Sequence, residues 1–181
     1  MTGESNSLIK GILIFGPNGS GKTTLGRELA NMLNIKHMDI EDYYFMPSEI
    51  PYSVTRPREE YIELMIDDIK KHRQFVLSAV TGDFGDDISK YYKLAVYISA
   101  PREERLKRVE KRAYDKHGER VAKGGDMYEQ QIKFNDFVAA RSIEPIEQWS
   151  KTLCCPIIQI DGMIDLQTNV ARIAEQFYVI N

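Results

Sequence analysis

The stretch from Leu8 to Leu33 restricts the possible folds more than any other part of this chain. It opens as a nearly continuous apolar run, "LIKGILIF" (8–15), and stops at Gly16. It then passes through "GPNGSGKTT" (16–24) and changes period, with Leu25, Leu29, Met32 and Leu33 at helical spacing. Such a run predicts a strand covered on both faces, at the centre of a parallel sheet. The glycines of the elbow admit backbone angles closed to other residues, so consecutive N–H groups can turn inward around an anion. A helix from Lys22 to about Asn34 aims its positive end at the same spot.

The chain continues to alternate. Strands are expected near 36–39, 75–80, 94–99 and 156–161, and helices over 57–72, 83–91, 102–114, 127–150 and 165–178. Five strands separated by helices imply an α/β fold, a doubly wound parallel sheet with helices on both faces. Ligands of such sheets bind beyond the carboxyl ends of the strands, so the first elbow and the ends of strands two and three are expected to share one cleft. At 181 residues one domain, 1–181, accounts for the length, with a core large enough to need no disulfide or metal staple. "MTGESNS" reads as a frayed polar start. Cys154 and Cys155 are adjacent, without ligand spacing, and read as small apolar residues leading into the last strand.

Charge removes other classes. With 24 basic and 27 acidic residues the net charge is −3, which argues against a nucleic-acid or membrane-surface partner. No signal peptide or long apolar run is evident, so a cytoplasmic location is expected; a monomer or homodimer fits equally.

Gly16, Gly21, Lys22 and Thr23 match the phosphate-loop spacing G-x-x-x-x-G-K-[ST]. The cradle is therefore expected to comprise Gly16, Pro17, Asn18, Gly19, Ser20, Gly21, Lys22, Thr23 and Thr24. The Lys22 ammonium would reach the β- and γ-phosphates and the Thr23 hydroxyl would ligate Mg²⁺. No Asn/Thr-Lys-x-Asp guanine reader and no Leu-Ser-Gly-Gly-Gln stretch occurs, and the length is short for a helicase or a ring-forming AAA-type subunit.

Within the phosphate-loop class the sequence resembles the nucleoside-monophosphate-kinase-like family, which includes adenylate, shikimate and gluconate kinases. The resemblance spans nearly the whole chain and implies a three-layer P-loop NTPase fold with a helical lid, ATP and Mg²⁺ as cofactors, and a small-molecule phosphoryl acceptor. "HMDIEDYYF" resembles the acidic Asp-x-Asp of shikimate-kinase-like enzymes. It makes Asp39 a candidate base and metal ligand, with Glu41 as a substrate contact and Asp42 beside them. "PREERLKRVEKR" resembles an adenylate-kinase lid entry, with Arg108 against the adenine and Arg112 clamping phosphates. Residues 101–125 hold nine Lys/Arg against five Asp/Glu. The lid would be 114–127, with Gly118, Gly124 and Gly125 as flex points and Arg120 or Arg141 closing on the transferring phosphoryl group. "IIQIDGMID" places Gly162 and Met163 at the adenine edge.

The third strand's end, "FVLSAVTGDFGDD", lacks the family's Asp-Gly-Phe-Pro-Arg-like run, and Asp83 is the substitute carboxylate for metal or substrate. Residues 40–72 form the acceptor segment, whose tyrosines and the pair Arg56 and Arg58 would suit a flat anionic acceptor. The spacing of Arg108 and Arg112 favours a nucleotide-like acceptor, as in adenylate kinase. Asp39 and Glu41 favour a hydroxylated metabolite. A switch that hydrolyses ATP slowly is the rival from another class.

Overall fold

The structure, a computed structural model, describes residues 9–180; the polar start lies outside them. The elements run β1 (Lys10–Phe15), α1 (Lys22–Leu33), β2 (Lys36–Asp39), α2 (Ile40–Tyr44), α3 (Arg58–His72), β3 (Gln74–Ala79), α4 (Asp86–Ser89) and β4 (Tyr92–Ser99). They continue with α5 (Arg102–His117), α6 (Tyr128–Ala140), α7 (Glu144–Ser150), β5 (Ile157–Asp161) and α8 (Leu166–Ile180). The strands form one sheet in the order β2-β3-β1-β4-β5, and every pairing is parallel. This is the three-layer α/β P-loop architecture expected from the pattern.

The central strand explains its own composition. Ile12 and Ile14 face α1 and α8, against Leu25, Leu29, Val170 and Ile173. Leu13 and Phe15 face the other way, against Met65 and Ile69 of α3 and Ile146 of α7. Both faces are covered along Ile12 to Phe15, so those four positions must be apolar, while Lys10 at the strand's start is only partly buried. Among the described residues no helix is long and apolar enough to cross a membrane.

Two helices differ from expectation. The segment 83–91 yields only the short α4. The long helix expected over 127–150 breaks after Ala140, where Arg141 turns to extended backbone (φ −70°, ψ 121°). Pro145 sits in the first turn of α7; its ring would clash with the carbonyl four residues back, at Arg141, if the helix ran through. Arg141 therefore caps a helix rather than riding on one. Beyond α5 the chain makes a 3-10 turn, Gly118–Val121, and loops back into α6. Gly118 and Gly124 take left-handed φ there, whereas a side chain on Gly125 would meet the Glu119 and Arg120 carbonyls.

Gly26 sits inside α1, where glycine costs a helix about 1 kcal/mol relative to alanine. The cause is a close approach to the sheet: a Cβ there would overlap Ser78 Oγ and lie 2.7 Å from His37 Nε2. Neither group is free to retreat, because Ser78 Oγ donates to the Lys22 carbonyl (3.2 Å) and pairs with His37 Nε2 (3.0 Å). Overpacking costs roughly 1–3 kcal/mol, more than the propensity gain. We expect Gly26→Ala to lower the urea midpoint with an unchanged m-value; a raised midpoint would refute this packing account.

Candidate active site

The chain leaves β1 toward β2 and leaves β4 toward β5, in opposite directions across the sheet, so a crevice opens between their carboxyl ends. The loop 16–24 fills it. Gly16 has φ 148° and a Cβ there would overlap the Ile98 carbonyl of β4; Gly19 has φ 78° and a Cβ would overlap the Arg105 carbonyl of α5. The loop is thus clamped between a strand and a helix, with its own amides left to line the concavity. Lys22 opens α1 and folds back over the loop, donating from Nζ to the Pro17 carbonyl (2.9 Å). Ser20 is fully buried and its hydroxyl has no partner, an orphan donor at the crest of a cradle built for acceptor oxygens. Loop, lysine and Thr23 at the helix start fit a polyphosphate chelating a magnesium ion. Among the described residues no three His, Cys, Asp or Glu side chains gather into a metal cluster.

Burial lowers the Lys22 pKa to about 8, with Arg112 the next cause; Glu41 and Asp39 oppose it and Arg141 adds to it. Four of the sequence's candidates therefore act on one ammonium. Arg112, on α5, has its side chain at the junction between the loop and the acceptor side. Arg141 donates to Asn18 Oδ1 (3.3 Å) and lies over the Phe137 ring. Arg108 donates to the Ser20 carbonyl (3.3 Å) and the Gly162 carbonyl (2.9 Å) and touches Met163 Sδ. It ties the phosphate loop to the turn after β5, beside a cavity lined by Thr24, Gly162 and Met163.

Sequence reasoning missed Arg105. It is buried, donates from Nε to the Ala100 carbonyl (3.2 Å) and from Nη1 to the Asn18 carbonyl (3.3 Å), and holds the loop from behind. Its signal was present: it lies three residues before Arg108, on the face of α5 that also carries buried Val109.

On the acceptor side, Asp39 ends β2, is buried, and accepts the Glu41 amide at 3.0 Å as the cap of α2. This cap turns the next residues toward the loop. Glu41 is half-buried; burial raises its pKa, Asp39 adds to the rise, and Arg112 and Lys116 oppose it. It lines a partly open cavity of about 170 Å³ with Phe45, Tyr52, Arg112 and residues of α5 and α6. Asp42 is exposed.

The remaining candidates lie elsewhere. Arg56 spends Nη1 on the carbonyls of Tyr43 (2.6 Å), Phe45 (3.0 Å) and Asp42 (3.3 Å), bracing the acceptor segment from inside. Arg58 donates to the Tyr61 hydroxyl (3.3 Å) and the Asp83 carbonyl (3.1 Å). Asp83 is exposed and lines a separate cavity with Trp149 and Cys154; no contact among the described residues brings it to Thr23. Its turn bends away because Gly82 packs on Leu13 and accepts from Tyr92 Oη (3.2 Å). Arg120 is held by both oxygens of Asp126 (3.0 and 2.7 Å). The cysteines are free, Cys154 exposed and Cys155 packed against the core.

A glycine-clamped loop, a lysine at the helix start and a parallel sheet in this order define a P-loop nucleotide-binding protein. The chain belongs to the AAA domain family, whose model matches residues 12–133, from β1 into α6. Over 174 residues it is 28% identical to the uncharacterized protein YqaC of Bacillus subtilis (strain 168), covering 92% of this chain and 96% of that one. It is also 27% identical over 116 residues to a shikimate kinase of Enterococcus faecalis (strain ATCC 700802 / V583), covering 56% of this chain and 66% of that enzyme. The solved structure of a shikimate kinase from Bacteroides thetaiotaomicron superposes with a TM-score of 0.55 at 18% identity, over 93% of this chain and 98% of that one. The fold is that of the P-loop kinases.

The lowered Lys22 pKa has a measurable consequence. A triphosphate favours the charged ammonium, so binding above about pH 8 requires uptake of a proton. We expect log Kd for ATP·Mg²⁺, read by calorimetry, to be flat below that pH and to rise with a slope approaching one above it. Lys22→Met should weaken binding and abolish the slope. A wild-type profile level to pH 9.5 would contradict the burial of this lysine.

Proposed function

We propose that this chain is an ATP- and Mg²⁺-dependent phosphotransferase whose acceptor is a hydroxyl group of a small molecule. The observation that carries it is Glu41, a carboxyl with a raised pKa that lines this cavity and acts electrostatically on the phosphate-loop lysine. A phosphate acceptor needs no base; a hydroxyl does. The spacing of Arg108 and Arg112, which favours a nucleotide acceptor at sequence level, serves the donor side here: Arg108 lies on the Ser20 and Gly162 carbonyls, beyond which the adenine would rest. The names of the shikimate kinases to which the chain is similar agree with transfer to a hydroxyl.

The chemistry follows from these positions. The loop amides and Lys22 hold the β- and γ-phosphates, and Arg108 brackets the base against Gly162 and Met163. Thr23, with Asp39 behind it, would hold Mg²⁺, which would supply charge neutralisation on those phosphates. Glu41 takes the hydroxyl proton as the acceptor oxygen bonds to the γ-phosphorus. The bond from that phosphorus to the β,γ-bridging oxygen breaks, and ADP leaves. Arg112, and Arg141 released from Asn18, neutralise charge gathering on the equatorial oxygens. Closure of the 114–127 segment keeps water from competing with the acceptor.

The test is a phosphoryl-transfer screen with labelled ATP against hydroxylated metabolites, nucleosides and nucleoside monophosphates. We expect a phosphorylated alcohol. With that acceptor, Glu41→Gln should lower kcat by 10²-fold or more while Kd for ATP stays within about twofold, the scale of a lost general base. Asp39→Asn keeps an oxygen for the α2 cap, so its fold should persist and its loss should appear in the Mg²⁺ dependence. Phosphorylation of monophosphates alone would overturn the hydroxyl reading, and ATP turnover without any phosphorylated acceptor would favour a switch.

A further inference from the structure

Glu41 rides on α2, a helix of only five residues, and a helix that short does not keep its place by its own hydrogen bonds. Contacts from outside hold it. At its start Asp39 caps it through the Glu41 amide. At its end the Arg56 guanidinium collects the carbonyls of Asp42, Tyr43 and Phe45, oxygens of the kind a helix terminus leaves without partners. Between these two stands a third hold. Tyr43 Oη donates to Asp68 Oδ2 of α3 at 2.6 Å, the length of a hydroxyl bond to a charged acceptor.

Tyr43 follows Glu41 by two residues, and at 3.6 residues per turn two such positions point to nearly opposite sides of a helix. Its side chain accordingly turns its back on the cavity: it is 8% exposed and belongs to the core cluster that includes Tyr61, Met65 and Ile69 of α3. Neither Tyr43 nor Asp68 lines the cavity. Burial and the bond to Asp68 raise the Tyr43 pKa, so the phenol keeps its proton and stays the donor. The carboxylate is steadied in turn by Lys36 of β2, 3.8 Å from the oxygen that Tyr43 uses, while His72, one turn further along α3, stands 3.9 Å from the other.

We propose that the Tyr43–Asp68 hydrogen bond is a positioning device for Glu41, holding the carboxyl in its cavity from the opposite side of α2. The inference rests on the reading of Glu41 as the base. Tyr43 and Asp68 touch no substrate; they act through the helix between them and the cavity. Without their bond the Asp39 cap and Arg56 still keep α2 folded, but the helix pivots and Glu41 reaches toward solvent. A misplacement of about 1 Å can cost on the order of 10²-fold in rate.

The charges that face Glu41 are Arg112 and Lys116 of α5, Asp39 of β2 and Lys22 of α1, and burial, the largest influence, leaves its pKa raised. Loss of burial therefore lowers that pKa, and this is a readout that stability alone does not move. Carbon NMR of protein labelled at the glutamate carboxyls, with Glu41 assigned from Glu41→Gln, follows the titration with no acceptor present. In Tyr43→Phe and Asp68→Leu the Glu41 pKa should fall toward the ordinary carboxylate range. Asp68→Asn, which still accepts from Tyr43, should resemble the wild type. With the alcohol that the transfer screen identifies, kcat should drop about tenfold or more in the first two variants, while Kd for ATP·Mg²⁺ stays within about twofold. A base must be unprotonated to act, so the acid limb of their kcat profiles should also move to lower pH. Ile173→Val, in α8 on the other face of the sheet, lowers stability without touching α2 and should move neither limb nor titration. A Glu41 titration unchanged in both Tyr43→Phe and Asp68→Leu, or moved as far by Ile173→Val, would overturn the inference and leave Glu41 its role. Undiminished transfer by Glu41→Gln would overturn that role, and this inference with it.

Discussion

The clamp on the phosphate loop is the constraint from which the rest of this protein follows. A strand carbonyl at Ile98 and a helix carbonyl at Arg105 occupy the space where side chains on Gly16 and Gly19 would be. The backbone can come that close only without Cβ atoms, and only then do the loop amides face one point. Packing on both sides of β1 keeps that point still: Leu13 and Phe15 on one face, Ile12 and Ile14 on the other, are wholly buried. A preorganised cradle of this kind needs little rearrangement when charge arrives, which is the condition for strong electrostatic stabilisation.

Helix α5 is the second determinant. It starts at the carboxyl end of β4, inside the crevice, and carries arginines at three depths. Arg105 is buried and holds the loop, Arg108 bridges the loop and the β5–α8 turn, and Arg112 faces the acceptor side. One helix thus supports the loop with Arg105 and, in the proposed function, would add base recognition and phosphate charge with Arg108 and Arg112, because positions three and four apart share a face. A low net charge of −3 overall conceals this local concentration of guanidinium groups.

The acceptor side is built by a different logic. Hydrogen bonds between segments distant in sequence shape it: Gln130 to Pro51, Arg120 to Glu49 (3.3 Å), and Lys116 to Tyr52. Tyr52 takes a left-handed φ of 64°, uncommon for a bulky residue. Of the two arginines that composition suggested for this pocket, Arg56 is consumed in bracing it and Arg58 is turned onto the Asp83 carbonyl. A polar side chain's partner is decided by which backbone carbonyls the fold leaves unpaired nearby, and that cannot be read along the chain.

Much of the fold was legible because its signals are local. The apolar run at β1, the glycine elbow, the change of period at Lys22 and the spacing of Arg108 and Arg112 all act within one or two elements. They led to the five parallel strands and to the donor side of the site. The break before α7 was local too, written in Pro145, and was passed over in favour of helical periodicity. What only the tertiary structure decided is which charges face the cavity. Arg56, Arg58, Arg120 and Asp83 look alike in sequence to residues that hold a substrate, yet each is turned to a carbonyl, a carboxylate or another cavity. Glu41 and Gln130, less conspicuous, are left beside the cavity. The sequence alone determined where the phosphate-loop elbow lies, since glycine backbone geometry and a helix terminus create it. The acceptor's character depends on long-range pairing, because burial and partnership, not residue type, set what a side chain can offer.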